Sequence, residues 1–114
     1  MKKIIVDGVT YIPEKKEEEI IENYFIVRTY SAGVFAGELV SRNGKEVVLK
    51  NARRLWYWDG AASLSQLAME GTKCPGKCKF PCEVIRITLT EAIELIAVTE
   101  KARKSIKGVA IWEK

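Results

Sequence analysis

The sequence predicts an α+β domain in which an antiparallel β-sheet dominates, with one or two short helices beside it. Three observations predict this. Runs rich in β-branched and aromatic residues recur along the chain, Asp-Gly or Asn-Gly pairs punctuate them, and only two stretches carry helical signals. At 114 residues the chain fits one domain, large enough to bury a core without metal or disulfide support. Its 47% apolar and 30% charged residues are the proportions of a folded globular protein.

The elements follow in order. Residues 3–12 hold two β-branched runs joined by Asp7-Gly8, a pair suited to a tight hairpin because both central residues of a type I′ turn need positive φ. Pro13 ends this hairpin, so residues 1–13 form an N-terminal unit. Residues 14–23 are densely charged, with only Ile20 and Ile21 to bury, and read as a linker with some helix ahead of a core spanning 24–114. Residues 24–30 are β-branched and aromatic, hence a strand. Ser31, Ala32 and Gly33 make a bend, and residues 34–41 a second strand. Asn43-Gly44 marks a hairpin turn, after which residues 46–50 pair back and residues 51–58 continue as strand. Short connections of this kind favour a meander of antiparallel strands.

Residues 61–70 gather Ala62, Leu64, Leu67, Ala68 and Met69 towards one helical face, with Asp59 to cap or charge the N-terminus and Gly71 at the C-terminus. A loop holding all the cysteines follows. Ile85, Ile87 and Leu89 alternate with polar residues and read as a strand; residues 92–98 read as another. Thr99 is placed to cap a short basic helix over 100–107, closed by Gly108, and residues 109–112 read as a terminal strand.

Composition narrows the chemistry. The net charge is +4, compatible with an anionic partner, and there is no histidine. Histidine is the usual acid or base near neutral pH, so Ser-His and Cys-His nucleophile pairs and imidazole metal sites are excluded. This predicts a binding protein and not an enzyme, with no cofactor. The start, Met-Lys-Lys-Ile-Ile-Val, resembles a signal peptide, but its apolar run stops at Asp7-Gly8, short of the ~7–15 residues required. No run reaches the ~18 apolar residues of a membrane span. The expected location is the cytoplasm, away from membranes.

Cys74, Cys78 and Cys82 recur every four residues beside Lys77 and Lys79. Structural zinc takes four ligands, usually with paired spacings, and no histidine can supply the fourth. The expectation is free or packed thiols and no metal, the alternative being a site shared between subunits of an oligomer. A stronger signal runs from Lys50 to Trp58. Strand alternation puts Asn51, Arg53, Leu55 and Tyr57 on one face and Lys50, Ala52, Arg54, Trp56 and Trp58 on the other, so cations interleave with indoles. Arginine forks onto phosphate while an aromatic ring stacks on a base. The competing reading makes the tryptophans core and pairs the arginines with Glu38 and Glu46 across the hairpin. Arg28 and Tyr30 beside the Gly33 bend could form an anion subsite, since a sharp turn exposes backbone N–H groups. Arg103 sits in the basic turn near the C-terminus.

The stretch from Tyr30 to Gly37, then Val47 to Trp58, then residues 61–68, resembles a family of small bacteriophage and prophage proteins. It is also similar to the Thoeris anti-defence protein 1 group. The resemblance covers most of the chain from Tyr24 to Trp112 and leaves the N-terminal hairpin and the charged stretch as an addition. It implies a sponge that sequesters cyclic ADP-ribose isomers without cleaving them, some members also taking cyclic oligonucleotides, with pockets formed between subunits of a homo-oligomer. By residue type, Arg28, Arg54 and Arg103 are then candidates for phosphates, Tyr30, Phe35 and Trp56 for stacking on base or ribose, and Asn51 for a base edge. The alternative is a small accessory protein that binds single-stranded nucleic acid or another protein.

Overall fold

The computed structural model describes residues 4–6, 9–11 and 20–114. Strands β1 (Ile4–Val6) and β2 (Val9–Tyr11) pair antiparallel with Val6 opposite Val9; the Asp7-Gly8 turn, the Pro13 end of the hairpin and residues 14–19 of the charged stretch lie outside the described residues. The core is one antiparallel sheet of β3 (Ile20–Thr29), β4 (Val34–Asn43), β5 (Glu46–Arg54), β6 (Glu83–Leu89) and β7 (Ala92–Thr99), in the order β6-β5-β4-β3-β7. Two helices, α1 (Leu64–Glu70) and α2 (Glu100–Gly108), complete an α+β fold dominated by sheet. Among the described residues no helix is long and apolar enough to cross a membrane.

The outermost strands β6 and β7 flank opposite edges, yet only Thr90 and Glu91 separate them in the chain. The sheet must therefore curl until its edges meet at one point. Hydrogen bonds mark that point: Ala92 N–H donates to the Lys45 carbonyl (3.0 Å), at the tip of the β4–β5 hairpin, and Tyr30 N–H donates to the Glu91 carbonyl (2.9 Å). Inside the curl lies a cluster without helical residues, built on Val27, Phe35, Val47, Leu49, Ala52 and Leu89. On the other side the helices bury a second cluster, including Tyr24, Ile26, Ala36, Leu67, Phe80, Val98 and Ile106. Two compact apolar clusters from one sheet suit a chain this short.

Several elements differ from the sequence reading, each for a local reason. Residues 20–23, read as linker, are the start of β3, where Ile20 pairs with Thr99 of β7. The β4–β5 turn is centred on Gly44 and Lys45, one residue later than Asn43-Gly44, with Gly44 at φ +63 as the first central residue. Strand β5 stops at Arg54, and of residues 55–58 only Tyr57 makes a bridge, to Lys79. Residues 109–112 contribute an isolated Phe80–Ile111 bridge, not a strand. Helix α1 begins at Leu64 because the Ser63 hydroxyl accepts the Gln66 N–H (3.1 Å), while Asp59 accepts from its neighbour Gly60. Gly71 closes α1, its N–H donating to the Leu67 carbonyl, and Thr99 caps α2 by accepting the Ala102 N–H (3.0 Å).

The alternation of β5 is broken at Asn51, which holds φ +50. Glu38 faces Lys50 and Ala36 faces Arg53, so two steps on β4 match three on β5, a β-bulge. Lys50 consequently leaves the face of Ala52 and Arg54, its ammonium 3.9 Å from the Glu38 carboxylate, while Ala52 is buried inside the curl. Trp58 packs against the helix-side cluster, whereas Trp56 is exposed.

Candidate functional site

The bend between β3 and β4 is held by one threonine. The buried Thr29 hydroxyl accepts the Ala32 N–H (2.9 Å) and donates to the Gly33 carbonyl (2.8 Å), and Thr29 N–H donates to that same carbonyl (3.0 Å). Gly33 sits at φ +106, a backbone angle that side chains strongly disfavour. This turns the Ala32 carbonyl towards β5, where Arg54 Nη1 donates to it (2.5 Å). The Arg54 guanidinium also lies 4.4 Å above the centre of the Phe35 ring. Its position is thus fixed twice, and among the described residues only one of the five N–H donors of the guanidinium has a hydrogen-bond partner.

Around this arginine is a pocket of about 250 Å³ lined by Ser31, Ala32, Gly33, Val34, Arg54, Leu55, Trp56 and Trp58. Trp56 is 62% exposed and stacks on Trp112, with planes 5° apart and centroids 6.4 Å apart. Tyr57, Ile111 and Trp112 extend the exposed apolar surface. Lys79 Nζ lies 5.8 Å from the Tyr57 ring and 5.7 Å from the Trp112 ring.

The structure brings some of the predicted residues together and separates others. Arg54 and Trp56 share the pocket, and Tyr30, 77% exposed, stands at the bend beside it. Phe35 is 2% exposed with one ring face under Arg54, so it positions the arginine and is closed to a stacking ligand. Arg28 pairs instead with Glu94 of β7, Nε to Oε1 at 2.8 Å. Asn51, at the bulge, donates from Nδ2 to Glu38 Oε2 (3.3 Å). Arg103 borders a different cavity, with Asn23, Tyr24 and Glu38. There Glu100 grips it through Nε (3.2 Å) and Nη2 (3.0 Å), an interaction that raises the arginine pKa and lowers that of the carboxyl.

Sequence reasoning missed Trp112, which reaches Trp56 only through tertiary folding, and Thr29, whose role needs the bend in place. It also missed Arg53. That side chain is 3% exposed and donates to three carbonyls: Nε to Pro81 (2.8 Å), Nη1 to Ile106 (2.8 Å) and Nη2 to Phe80 (3.0 Å). It ties the end of β5 to the C-terminal turn of α2 and the cysteine loop. Neither Arg53 nor Arg54 pairs with Glu38 or Glu46 among the described residues. In the cysteine loop, a single 3-10 turn at Pro75–Lys77 separates Cys74 from the buried Cys78, while Cys82 is exposed. Among the described residues no cluster of three cysteine or carboxylate side chains has the arrangement of a metal site.

The sequence model of one protein family, a domain of unknown function (DUF6948), matches residues 22–106. That span contains the bend, Arg54, Trp56 and Arg103, and leaves out the β1–β2 hairpin and Trp112. No curated protein and no solved structure matches the chain.

Proposed function

We propose that this chain, which belongs to the DUF6948 domain family, is a non-catalytic binder of phosphate-bearing nucleotides. In this reading it is a phage-encoded sponge for cyclic ADP-ribose isomers in the host cytoplasm. The observation that carries the reading is Arg54, set by the Ala32 carbonyl and the Phe35 ring at a pocket that the exposed indole of Trp56 also lines. A guanidinium held in place before the ligand arrives loses little freedom on gripping a phosphate. The indole offers a stacking face to a base. A sequence without histidine supports capture without turnover.

The pocket, about 250 Å³, is smaller than the ~300–1,000 Å³ usual for small-molecule sites. A second copy laid against the exposed Trp56, Tyr57, Ile111 and Trp112 would enclose the ligand, in keeping with the homo-oligomer that the resemblance implies. The test is the melting temperature with a panel of cyclic ADP-ribose isomers and cyclic oligonucleotides, followed by recovery of the ligand after denaturation. A ligand at a hundred times its dissociation constant adds ~2.7 kcal/mol, a shift of several degrees. Intact recovery supports the sponge; a cleaved ligand refutes it.

The row of Trp56, Trp112 and Tyr57 with Lys79 between two of the rings favours a second reading, a binder of single-stranded nucleic acid. The two differ in salt dependence. Release of condensed counterions makes strand binding fall steeply with salt, and capture of a small cyclic ligand much less so.

A further inference from the structure

Arg54 borders a second cavity, of about 150 Å³, lined by Phe35, Ala52, Pro81, Cys82, Val84 and Ile87. Arg54 is the only residue that this cavity shares with the pocket of Trp56 and the β3–β4 bend. Its floor belongs to the core. Phe35 and Ala52, at 2% and 1% exposure, are members of the cluster inside the curl, and Ile87 packs against that cluster. Its rim is open, since Arg54, Cys82 and Val84 are exposed. A close-packed floor under an exposed rim gives a concavity that exists before any ligand arrives.

The lining defines what would fit. Arg54 is the one charged side chain in it, and the others are apolar apart from the Cys82 thiol, a weak hydrogen-bonding group. Pro81 has no N–H, and its carbonyl already accepts from Arg53 Nε (2.8 Å). A nucleobase edge placed here would leave most of its donors and acceptors unpaired, a cost that a hydrocarbon ring does not incur. The volume is that of an apolar cavity able to hold one benzene ring. The Phe35 ring joins the two chemistries: it belongs to the apolar floor and carries the guanidinium 4.4 Å above its centre. A group that fills the cavity therefore lies next to a cation, which favours an attached anion.

We propose that this cavity is a second subsite of the Arg54 site, which takes a compact apolar ring attached to the phosphate that Arg54 holds. The ligand class is an aryl phosphate ester. The subsite rests on the reading of Arg54 as an anion receptor, but not on the identity of the cyclic nucleotide. It adds a requirement which the Trp56 pocket does not make: the gripped phosphate bears a ring-sized apolar group that reaches Val84 and Ile87.

The test is a nuclear magnetic resonance titration of the full chain with phenyl phosphate and with methyl phosphate, which carries the same charge and no ring. Both should move the Arg54 Nε resonance. Phenyl phosphate alone should move the methyl resonances of Val84 and Ile87, and it should bind about tenfold tighter, because the ring leaves water. Val84→Asn, a change at an exposed position of β6, should reduce that preference several-fold and leave methyl phosphate unaffected. Equal affinity for the two esters overturns the subsite and leaves the Arg54 reading standing. So does a phenyl ring that moves the Trp56 indole resonance and not the Val84 and Ile87 methyls. An Arg54 Nε resonance that responds to neither ester overturns the anion-receptor reading, and the subsite falls with it.

Discussion

Arg53 reaches to the helix side of the sheet, where its guanidinium meets three carbonyls at 2.8–3.0 Å. Arg54, the next residue, turns to the other side, where it uses one donor on Ala32 and rests on the Phe35 ring. The same side chain thus serves as an internal rivet at one position and as an open receptor at the next. Charge does not separate the two. The difference lies in the acceptors within reach: the end of α2 and the cysteine loop offer Arg53 three carbonyls, whereas the bend offers Arg54 one.

If that comparison is right, the largest effect belongs to Arg53. Arg53→Ala should lower stability by about 2–4 kcal/mol, read as a lower urea midpoint. The Pro81 carbonyl then has no donor, while Phe80 and Ile106 keep the N–H groups of Trp112 and Val109. Arg53→Lys should recover only part of this, because a compact ammonium does not span three acceptors as a planar guanidinium does. A loss below about 0.5 kcal/mol, the range of ordinary surface substitutions, would break the comparison.

Arg54→Ala should do the reverse. Stability should drop by no more than about 1 kcal/mol, the scale of an exposed cation–π contact. Affinity for the nucleotide ligand should fall ten- to hundredfold, about 1.5–3 kcal/mol. A lower melting temperature with unchanged binding would make Arg54 a rivet too.

The smallest effect sharpens the helix side of the comparison through pH. The Tyr24 pKa is raised in the folded chain above its ordinary value of 10.0, chiefly by burial. The unfolded chain therefore releases that proton first. The stability contribution is intact below about pH 10 and is lost as pH rises beyond it. Chemical denaturation from pH 8 to 11 should show this decline, and Tyr24→Phe should flatten part of it.

Much of this architecture was legible in the sequence. Runs ending at Gly44 and Gly33, the Thr99 cap and the Gly71 stop all act within a few residues, so local chemistry reveals them. Most of the failures trace to tertiary partners distant in sequence. Asn51 adopts a left-handed angle with no glycine to announce it, and that bulge rearranges which side chains share a face with Arg54. Ile20 and its neighbours look like part of a charged linker until β7 provides a pairing edge. At the candidate site, Arg54, Trp56 and the bend could be grouped from their proximity along the chain. Arg28 could not be set aside, because its carboxylate partner Glu94 is recognisable only in the fold; the Glu100–Arg103 pair, three residues apart on the predicted helix, was legible in the sequence and was overlooked.

The two-residue link between β6 and β7 also orders events in time. Strands β3 to β6 can pair one after another as each emerges, since every partner but β6 is adjacent in sequence and β6 follows after the α1 excursion. Strand β3 gains its second neighbour only when β7 arrives; Arg28 and Glu94 are 66 positions apart. Pairing at that separation slows folding, because a long loop must close before any contact rewards it. Until then a nascent chain on the ribosome carries one unpaired flank of β3, a sticky edge that other copies could join. Synthesis of the last strand and helix therefore relieves a vulnerability that the first part of the chain creates.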